Sequence, residues 1–103
     1  MASSNYIDKL SDEGRQNIEF SLINQEIIYF TFYFSYTNNY WYMDVQYKDF
    51  ILNGLQVVYS DNLLYQYKNI LPFGVQVDSK TGLSPITINS FKDGLNRVIV
   101  NEY

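Results

Sequence analysis

Residues 27–48 read IIYFTFYFSYTNNYWYMDVQYK, and this stretch decides the fold of the chain. Apolar side chains alternate with polar or tyrosine side chains on both sides of a polar turn at Thr37-Asn38-Asn39. Because successive side chains of a strand point to opposite faces, the alternation predicts a β-hairpin with one apolar face. Asparagine tolerates a positive φ, which suits the tight connection between two antiparallel strands.

The apolar face of this hairpin supplies much of the predicted core, and later apolar positions complete it. The candidate core residues are Phe30, Phe32, Phe34, Trp41, Met43, Val45, Leu64, Val75, Val77 and Ile99. The other face is rich in tyrosine, whose large amphipathic ring suits contact with another protein. The candidate subunit-interface residues are Tyr29, Tyr33 and Tyr42 on this face and Tyr59 on a later strand.

Length and composition restrict the classes of function. The chain has 103 residues, which is enough for one domain. It contains neither Cys nor His, so it lacks disulfides, thiolate nucleophiles, the usual general base and the commonest metal ligand. We therefore expect a non-enzymatic protein without catalytic residues, a metal site or a cofactor.

The distribution of charged and apolar residues argues against two kinds of partner, nucleic acids and membranes. The formal net charge is −4, and the seven Lys and Arg residues are scattered rather than gathered in a stripe. Nucleic-acid binding rests on neutralising phosphates, so no direct sequence-specific nucleic-acid contact is expected. No run reaches the roughly 18 apolar residues of a membrane helix, so no membrane contact is expected either.

Local signals along the chain define the predicted domain. Residues 1–16 are polar and predict an N-terminal arm that is either disordered or bound to a partner. Residues 17–103 form the domain, in which Asn53-Gly54 is the strongest hairpin signal and residues 60–62 start one short helix. Six to seven short strands result. They predict an all-β, single-domain fold, either a small β-barrel or a strongly curved antiparallel sheet.

Two features keep alternative interpretations open. Trp41 stands between Tyr40 and Tyr42 and could form a surface platform that stacks on a sugar or a base. It is also in phase with Met43 and Val45, which favours a place in the core. The high tyrosine content is consistent with a surface that is buried against other subunits in an assembly. It is also consistent with a small β domain whose core contains many aromatic residues.

A series of motifs follows the aromatic first strand of the hairpin. They are Trp41-Tyr42-Met43-Asp44-Val45, Asn53-Gly54-Leu55-Gln56-Val57-Val58, Asp61-Asn62-Leu63-Leu64, Phe73-Gly74-Val75-Gln76-Val77, Asp93-Gly94-Leu95 and Val98-Ile99-Val100-Asn101-Glu102-Tyr103. In this order, over residues 17–103, the chain resembles the baseplate plug proteins of contractile-tailed bacteriophages. Asp93-Gly94-Leu95 stands where the family pattern has an Asp-Leu-Gly order.

The resemblance implies a function and a location. It implies a non-enzymatic structural protein of the virion, situated in the tail baseplate. Such proteins plug or connect the tail tube and the baseplate or spike on the tail axis. The implied partners are further copies of the chain in a ring, together with tube, hub or spike proteins of the baseplate.

The alternative comes from a different class of function, a small β-barrel that binds a carbohydrate or another small ligand. The aromatic cluster around Trp41 motivates this interpretation. A ligand-binding barrel needs an internal cavity, and 103 residues leave little room for one beyond the core.

Overall fold

The computed structural model of the protein describes residues 3–7 and 10–103. Within them the chain forms seven strands and one short 3₁₀ helix. The strands are β1 (Ser3–Tyr6), β2 (Arg15–Ser21), β3 (Ile27–Ser35), β4 (Tyr40–Tyr47), β5 (Phe50–Gln56), β6 (Phe73–Ser79) and β7 (Asn96–Glu102), and the 3₁₀ helix is Tyr65–Tyr67. Every pairing between these strands is antiparallel. The predicted all-β class is therefore confirmed.

The strands are arranged in two sheets that share one core. One sheet has the order β1-β7-β6 and the other the order β2-β3-β4-β5. A single hydrophobic cluster contains buried side chains from both sheets. The sheets are not closed into a barrel, so the domain is a sandwich of two antiparallel sheets and not the barrel form of the prediction.

The hairpin at the centre of the larger sheet consists of β3 and β4. Phe32 pairs in register with Met43, and both side chains are completely buried. Residues 36–39 form the turn, in which the Asn39 N–H donates to the Ser35 carbonyl over 2.7 Å. Asn39 has a φ of 56°, a conformation that asparagine adopts more readily than most residues.

The candidate core residues lie mostly inside the sandwich. Those buried are Phe30, Phe32, Trp41, Met43, Val45, Leu64, Val75, Val77 and Ile99. Phe34 is partly buried and packs against the core cluster from the end of β3. Ile99 is different from the others, because alternation along β7 turns it away from Val98 and Val100 to the opposite face, in register with Tyr6.

The turn predicted at Asn53-Gly54 is wrong. The connection between β4 and β5 consists of Lys48 and Asp49, and β5 continues past the Asn-Gly pair to Gln56. The register of β5 against β4 shifts there by one residue, so Asn53 and Gly54 together lie opposite Asp44 as a β-bulge. Gly54 has a φ of 75°, so the dipeptide does supply a left-handed conformation, but within a strand.

The Val57 N–H still donates to the Trp41 carbonyl of β4 over 2.8 Å, and residues 58–63 then leave the larger sheet and run along β6. Ser60 pairs with Val77, and the Leu63 N–H donates to the Val75 carbonyl over 2.7 Å. The Asn62 side chain, part of the predicted helix start, accepts a hydrogen bond from the Leu64 N–H over 2.9 Å. A 3₁₀ helix of one turn follows it.

Part of the predicted N-terminal arm forms a strand of the smaller sheet. Ser3–Tyr6 pairs with β7, and Ile7, which follows, is buried. Farther along, an ion pair joins Lys92 to Asp12 over 3.3 Å. β2 begins two residues before the predicted domain boundary at residue 17. Residues 1–2 and 8–9 of the predicted arm lie outside the described residues.

Candidate protein-interaction surface

The four-stranded sheet turns one face away from the core, and we call this the outer face. Register and alternation assign to it Arg15, Asn17, Glu19, Ser21, Ile27, Tyr29, Thr31, Tyr33, Ser35, Tyr40, Tyr42, Asp44, Gln46, Ile51, Asn53 and Gln56. The charged residues among them are Arg15, Glu19 and Asp44. A face with few charges and several tyrosines has the composition of an interface core.

A pair of stacked tyrosines lies at the middle of the outer face. Tyr33 and Tyr42 are paired in register, with ring centroids 5.9 Å apart and ring planes 19° from parallel. The Tyr33 hydroxyl donates to Asp44 Oδ1 over 3.4 Å, and the Gly54 N–H donates to the same oxygen over 2.8 Å. Asp44 therefore connects the β5 bulge to the tyrosine pair and fixes the local shape of the surface.

The surroundings of Tyr33 keep its hydroxyl protonated. Burial is the main cause that raises the pKa of Tyr33, and the negative charge of Asp44 raises it further. The Arg15 guanidinium, 5.6 Å from the centre of the Tyr33 ring, acts in the opposite direction without cancelling the effect. Tyr33 is thus a neutral hydrogen-bond donor in a preorganised cluster.

A row of three side chains, with Tyr29 and Ile51 on either side of Gln46, crosses the same face on the side of the β2–β3 turn. Tyr29 is paired with Gln46, which is in turn paired with Ile51, so the three side chains lie side by side. Tyr29 is 47% exposed and Ile51 is 61% exposed. A depression of about 180 Å³ is lined by these residues together with Thr31, Asp44, Val45 and Asn53. Exposed apolar side chains gathered in a patch often mark a site of contact with another protein.

Tyr59 does not lie on the outer face. It belongs to the connection along β6, where its N–H donates to Ser84 Oγ over 2.9 Å. Its side chain is 51% exposed. The structure thus brings Tyr29, Tyr33 and Tyr42 to one surface and separates Tyr59 from them.

Ile51 is the main surface residue that the sequence reasoning missed. The signal was present, because alternation between Phe50 and Leu52 places the intervening side chain on the opposite face. Phe50 and Leu52 pack against the core cluster, whereas Ile51 points outward. The interpretation of Asn53-Gly54 as a turn concealed this pattern by ending the strand too early.

A polar cluster closes one end of the larger sheet. Glu26 Oε1 accepts hydrogen bonds from the Tyr47 hydroxyl and from Asn24 Nδ2, each over 2.6 Å, and the carboxylate forms an ion pair with Lys48. The hydrogen bonds from Lys48 and Tyr47 lower the pKa of Glu26. Burial, followed by the hydrogen bond to Glu26, raises the pKa of Tyr47.

Neither a metal centre nor a membrane-crossing helix is found in the part of the chain that the structure describes. No group of three or more His, Cys, Asp or Glu side chains is placed to hold a metal ion there. None of the described helical segments has the length and apolarity that a membrane crossing requires.

The fold and this surface define a small β-sandwich protein with a tyrosine-rich, weakly charged outer face. Residues 5–102 match the family described as "Cyanophage baseplate Pam3 plug gp18". The chain therefore belongs to this family of baseplate plug proteins, and its place is the tail baseplate of the virion. No curated protein sequence matches the chain. The family resemblance seen in residues 17–103 is confirmed, and the match also includes residues 5–16 of the predicted arm.

Proposed function

We propose that this baseplate plug protein acts without catalysis, by plugging or connecting the tail tube and the baseplate or spike on the tail axis. Family membership supports the structural role. The outer face provides the surface for the contacts, because its exposed Tyr29 and Ile51 are held on paired strands of the larger sheet. Rigid aromatic anchors lose little conformational entropy when they are buried against a partner.

Several copies in a ring around the tail axis are part of this proposal. Tyr29, Tyr33 and Tyr42 are the contact residues proposed for the neighbouring copy or for a tube, hub or spike protein. Tyr59, on a separate surface, is proposed as a second contact. Two separate contact surfaces on one chain suit a heterologous ring, in which each copy presents different patches to its two neighbours.

The ligand-binding alternative loses the feature that motivated it. Trp41 is completely buried, and its ring packs edge-on against Phe34 and Phe91 at centroid distances of 5.5 Å and 5.2 Å. Its indole is therefore not available to stack on a sugar. A separate hollow of about 240 Å³ lies beside Leu10, but its buried amide, Asn96, already donates to two backbone carbonyls.

The test is co-expression of the tagged chain with the tube, hub and spike proteins encoded beside it. Native mass spectrometry of the eluted material then gives both the partner and the copy number. We expect a complex with at least one of these proteins, and we expect the double change Tyr29→Ser/Ile51→Ser to reduce its yield at least tenfold.

Tyr65→Ser is the matched control, because Tyr65 is 63% exposed on the 3₁₀ helix, outside the larger sheet. It should leave the yield of the complex unchanged. Failure to capture any tail protein would contradict the proposed function. Equal losses for the double variant and for the control would contradict the assignment of the outer face as the contact surface.

A further inference from the structure

The two sheets have four edge strands, and three of them are protected against pairing with another chain. Residues 60–63 cover β6 through the pairing of Ser60 with Val77 and the bond from Leu63 to Val75. The bulge at Gly54 interrupts β5. β1 has only four residues. Covering, bulges and short length are the devices by which sheet proteins blunt their edges.

β2 has none of these protections. It has seven residues, contains neither Pro nor Gly, and pairs with β3 in continuous register from Arg15 to Ser21. No other described strand pairs with its far side. An open cleft of about 770 Å³ runs along it. A regular, uncovered edge is a template for a further strand.

The backbone groups on this free edge belong to the odd-numbered residues. The Phe34 N–H donates to the Gly14 carbonyl, and the Leu22 N–H donates to the Glu26 carbonyl, each over 2.8 Å. Hydrogen-bonded and non-hydrogen-bonded pairs alternate in an antiparallel ladder, so the even-numbered residues of β2 bond to β3. The N–H and C=O groups of Arg15, Asn17, Glu19 and Ser21 therefore point outward.

We propose that β2 pairs in antiparallel fashion with β2 of a second copy of this chain, in a register centred on Asn17. This register places Arg15 opposite Glu19 of the second copy, and Glu19 opposite Arg15, on the same outer face. The three facing pairs of odd-numbered residues exchange about six backbone hydrogen bonds. The edge is thus self-complementary in both shape and charge.

The charges select this register from its neighbour. A shift of the pairing by two residues, centred on Ile18, places Glu19 opposite Asn17 and Arg15 opposite Ser21. That arrangement brings four pairs of odd-numbered residues together instead of three, because it includes Ser21, but it has no ion pair. The cross-strand pairs of Arg15 and Glu19 therefore favour the register centred on Asn17.

The pair joins two four-stranded sheets into one of eight strands, and it does not depend on the proposed function. A ring of copies that all face the same way has no twofold axis between neighbours. The β2–β2 pair therefore belongs to the free chain, before its incorporation into a tail. There it covers the one long, regular edge that the described strands leave open.

The experiment is sedimentation equilibrium of the full chain at concentrations up to about 0.5 mM, because an interface of one strand pair is small and weak. We expect a reversible dimer of the 12.2 kDa chain, with a Kd on the order of tens of micromolar for so small a contact. Arg15→Glu and Glu19→Arg should each raise the Kd at least tenfold, because each brings like charges together.

Charge exchange makes the test specific for this register. The double variant Arg15→Glu/Glu19→Arg should dimerise again, and an equimolar mixture of the two single variants should form a heterodimer. Lys80→Glu is the matched control, since it makes the same charge change in the loop between β6 and β7. The Kd of this control should differ from that of the wild type by less than about threefold, whereas Arg15→Glu should raise the Kd at least tenfold.

Asn17→Pro is the independent backbone variant. It removes an outward N–H while leaving the bonds from the even-numbered residues to β3, and proline is tolerated on strand edges. Circular dichroism should show a retained fold, and the dimer should be lost. A chain that stays monomeric throughout, or a dimer that neither Arg15→Glu nor Asn17→Pro weakens, would overturn the proposal and leave the proposed tail function unaffected.

Discussion

Asn62 lies so close to Gly74 that a methyl group added to Gly74 would come within 2.6 Å of the Asn62 side-chain nitrogen. The amide is held in this position. Its oxygen accepts the N–H groups of Leu64 and Val75, and its nitrogen donates to the Tyr103 hydroxyl over 2.7 Å. Glycine at position 74 thus leaves the space for a hydrogen-bonded clasp between the β5–β6 connection and the C-terminus.

We expect Gly74→Ala to lower the free energy of unfolding by about 2 kcal/mol, because the methyl group forces the clasp apart. Asn62→Ala should cost about 1–3 kcal/mol, because it leaves two backbone N–H groups without their acceptor. Urea denaturation measures both values. The double variant should cost less than the sum of the two, since the smaller side chain makes room for the methyl group. Strictly additive costs would contradict the contact.

Gly54 tests the β-bulge. Its φ of 75° disfavours any residue with a Cβ, so Gly54→Ala should cost about 1–2 kcal/mol. Gly54→Asn should cost less, because asparagine tolerates the left-handed region. Thermal unfolding followed by circular dichroism compares the two variants. An alanine variant as stable as the wild type would mean that the strand passes position 54 without the bulge.

Trp41 is the single tryptophan, so its fluorescence reports directly on the core. The emission should be blue-shifted and resistant to acrylamide in the folded protein, because the indole is completely buried. Trp41→Phe should cost about 2 kcal/mol, since it loses volume and the hydrogen bond from Nε1 to the Thr87 carbonyl at 3.0 Å. Tyr40→Phe at the neighbouring, half-buried position is the control and should cost little. Strong quenching by acrylamide would contradict the burial.

Glu26 predicts how stability depends on acid pH. Its folded-state pKa is lowered from 4.5 by Lys48 and Tyr47, so its contribution is complete above the unfolded pKa and disappears as the pH falls through the folded pKa. Below about pH 4.5 the melting temperature of the wild type should therefore fall more steeply than that of Glu26→Gln. At neutral pH the variant should be the less stable of the two. Parallel acid slopes would show that Glu26 keeps its ordinary pKa.

The central hairpin could be predicted from the sequence because its pattern is strictly local. Alternation from Phe30 to Val45 specifies which side chains face the core, and the polar Thr37-Asn38-Asn39 segment marks the reversal. No contact with a distant part of the chain is needed to assign this pattern. The same alternation placed Tyr29 and Tyr42 on the outer face.

The bulge at Gly54 could not be predicted in the same way. A hairpin turn and a bulge both use the left-handed conformation that an Asn-Gly pair supplies. The choice between them depends on Asp44, which accepts the Gly54 N–H from the neighbouring strand. Lys48, at the real turn, has a φ of 52° although lysine carries no turn signal. Tertiary pairing outweighed the local preference at both positions.

The position of Tyr59 could not be predicted for a related reason. The sequence predicts Tyr59 on a strand, but β5 ends at Gln56 and the chain then crosses to β6. A crossing between sheets depends on the backbone groups that the destination strand leaves unpaired, and no pattern within the segment itself records them. The polar Ser3–Tyr6 strand, which adds to β7, escaped prediction for the same reason.

The glycine bulge in β5 also limits how far the larger sheet can be extended by strand pairing. A sheet with two open edges can add copies at both ends without limit, which is the geometry of a fibre. A sheet with one open edge can pair with only one neighbouring sheet, so no further copies can be added. Because the Gly54 bulge distorts the β5 edge, the pairing proposed for β2 ends at two copies, since neither copy offers a second regular edge in its larger sheet.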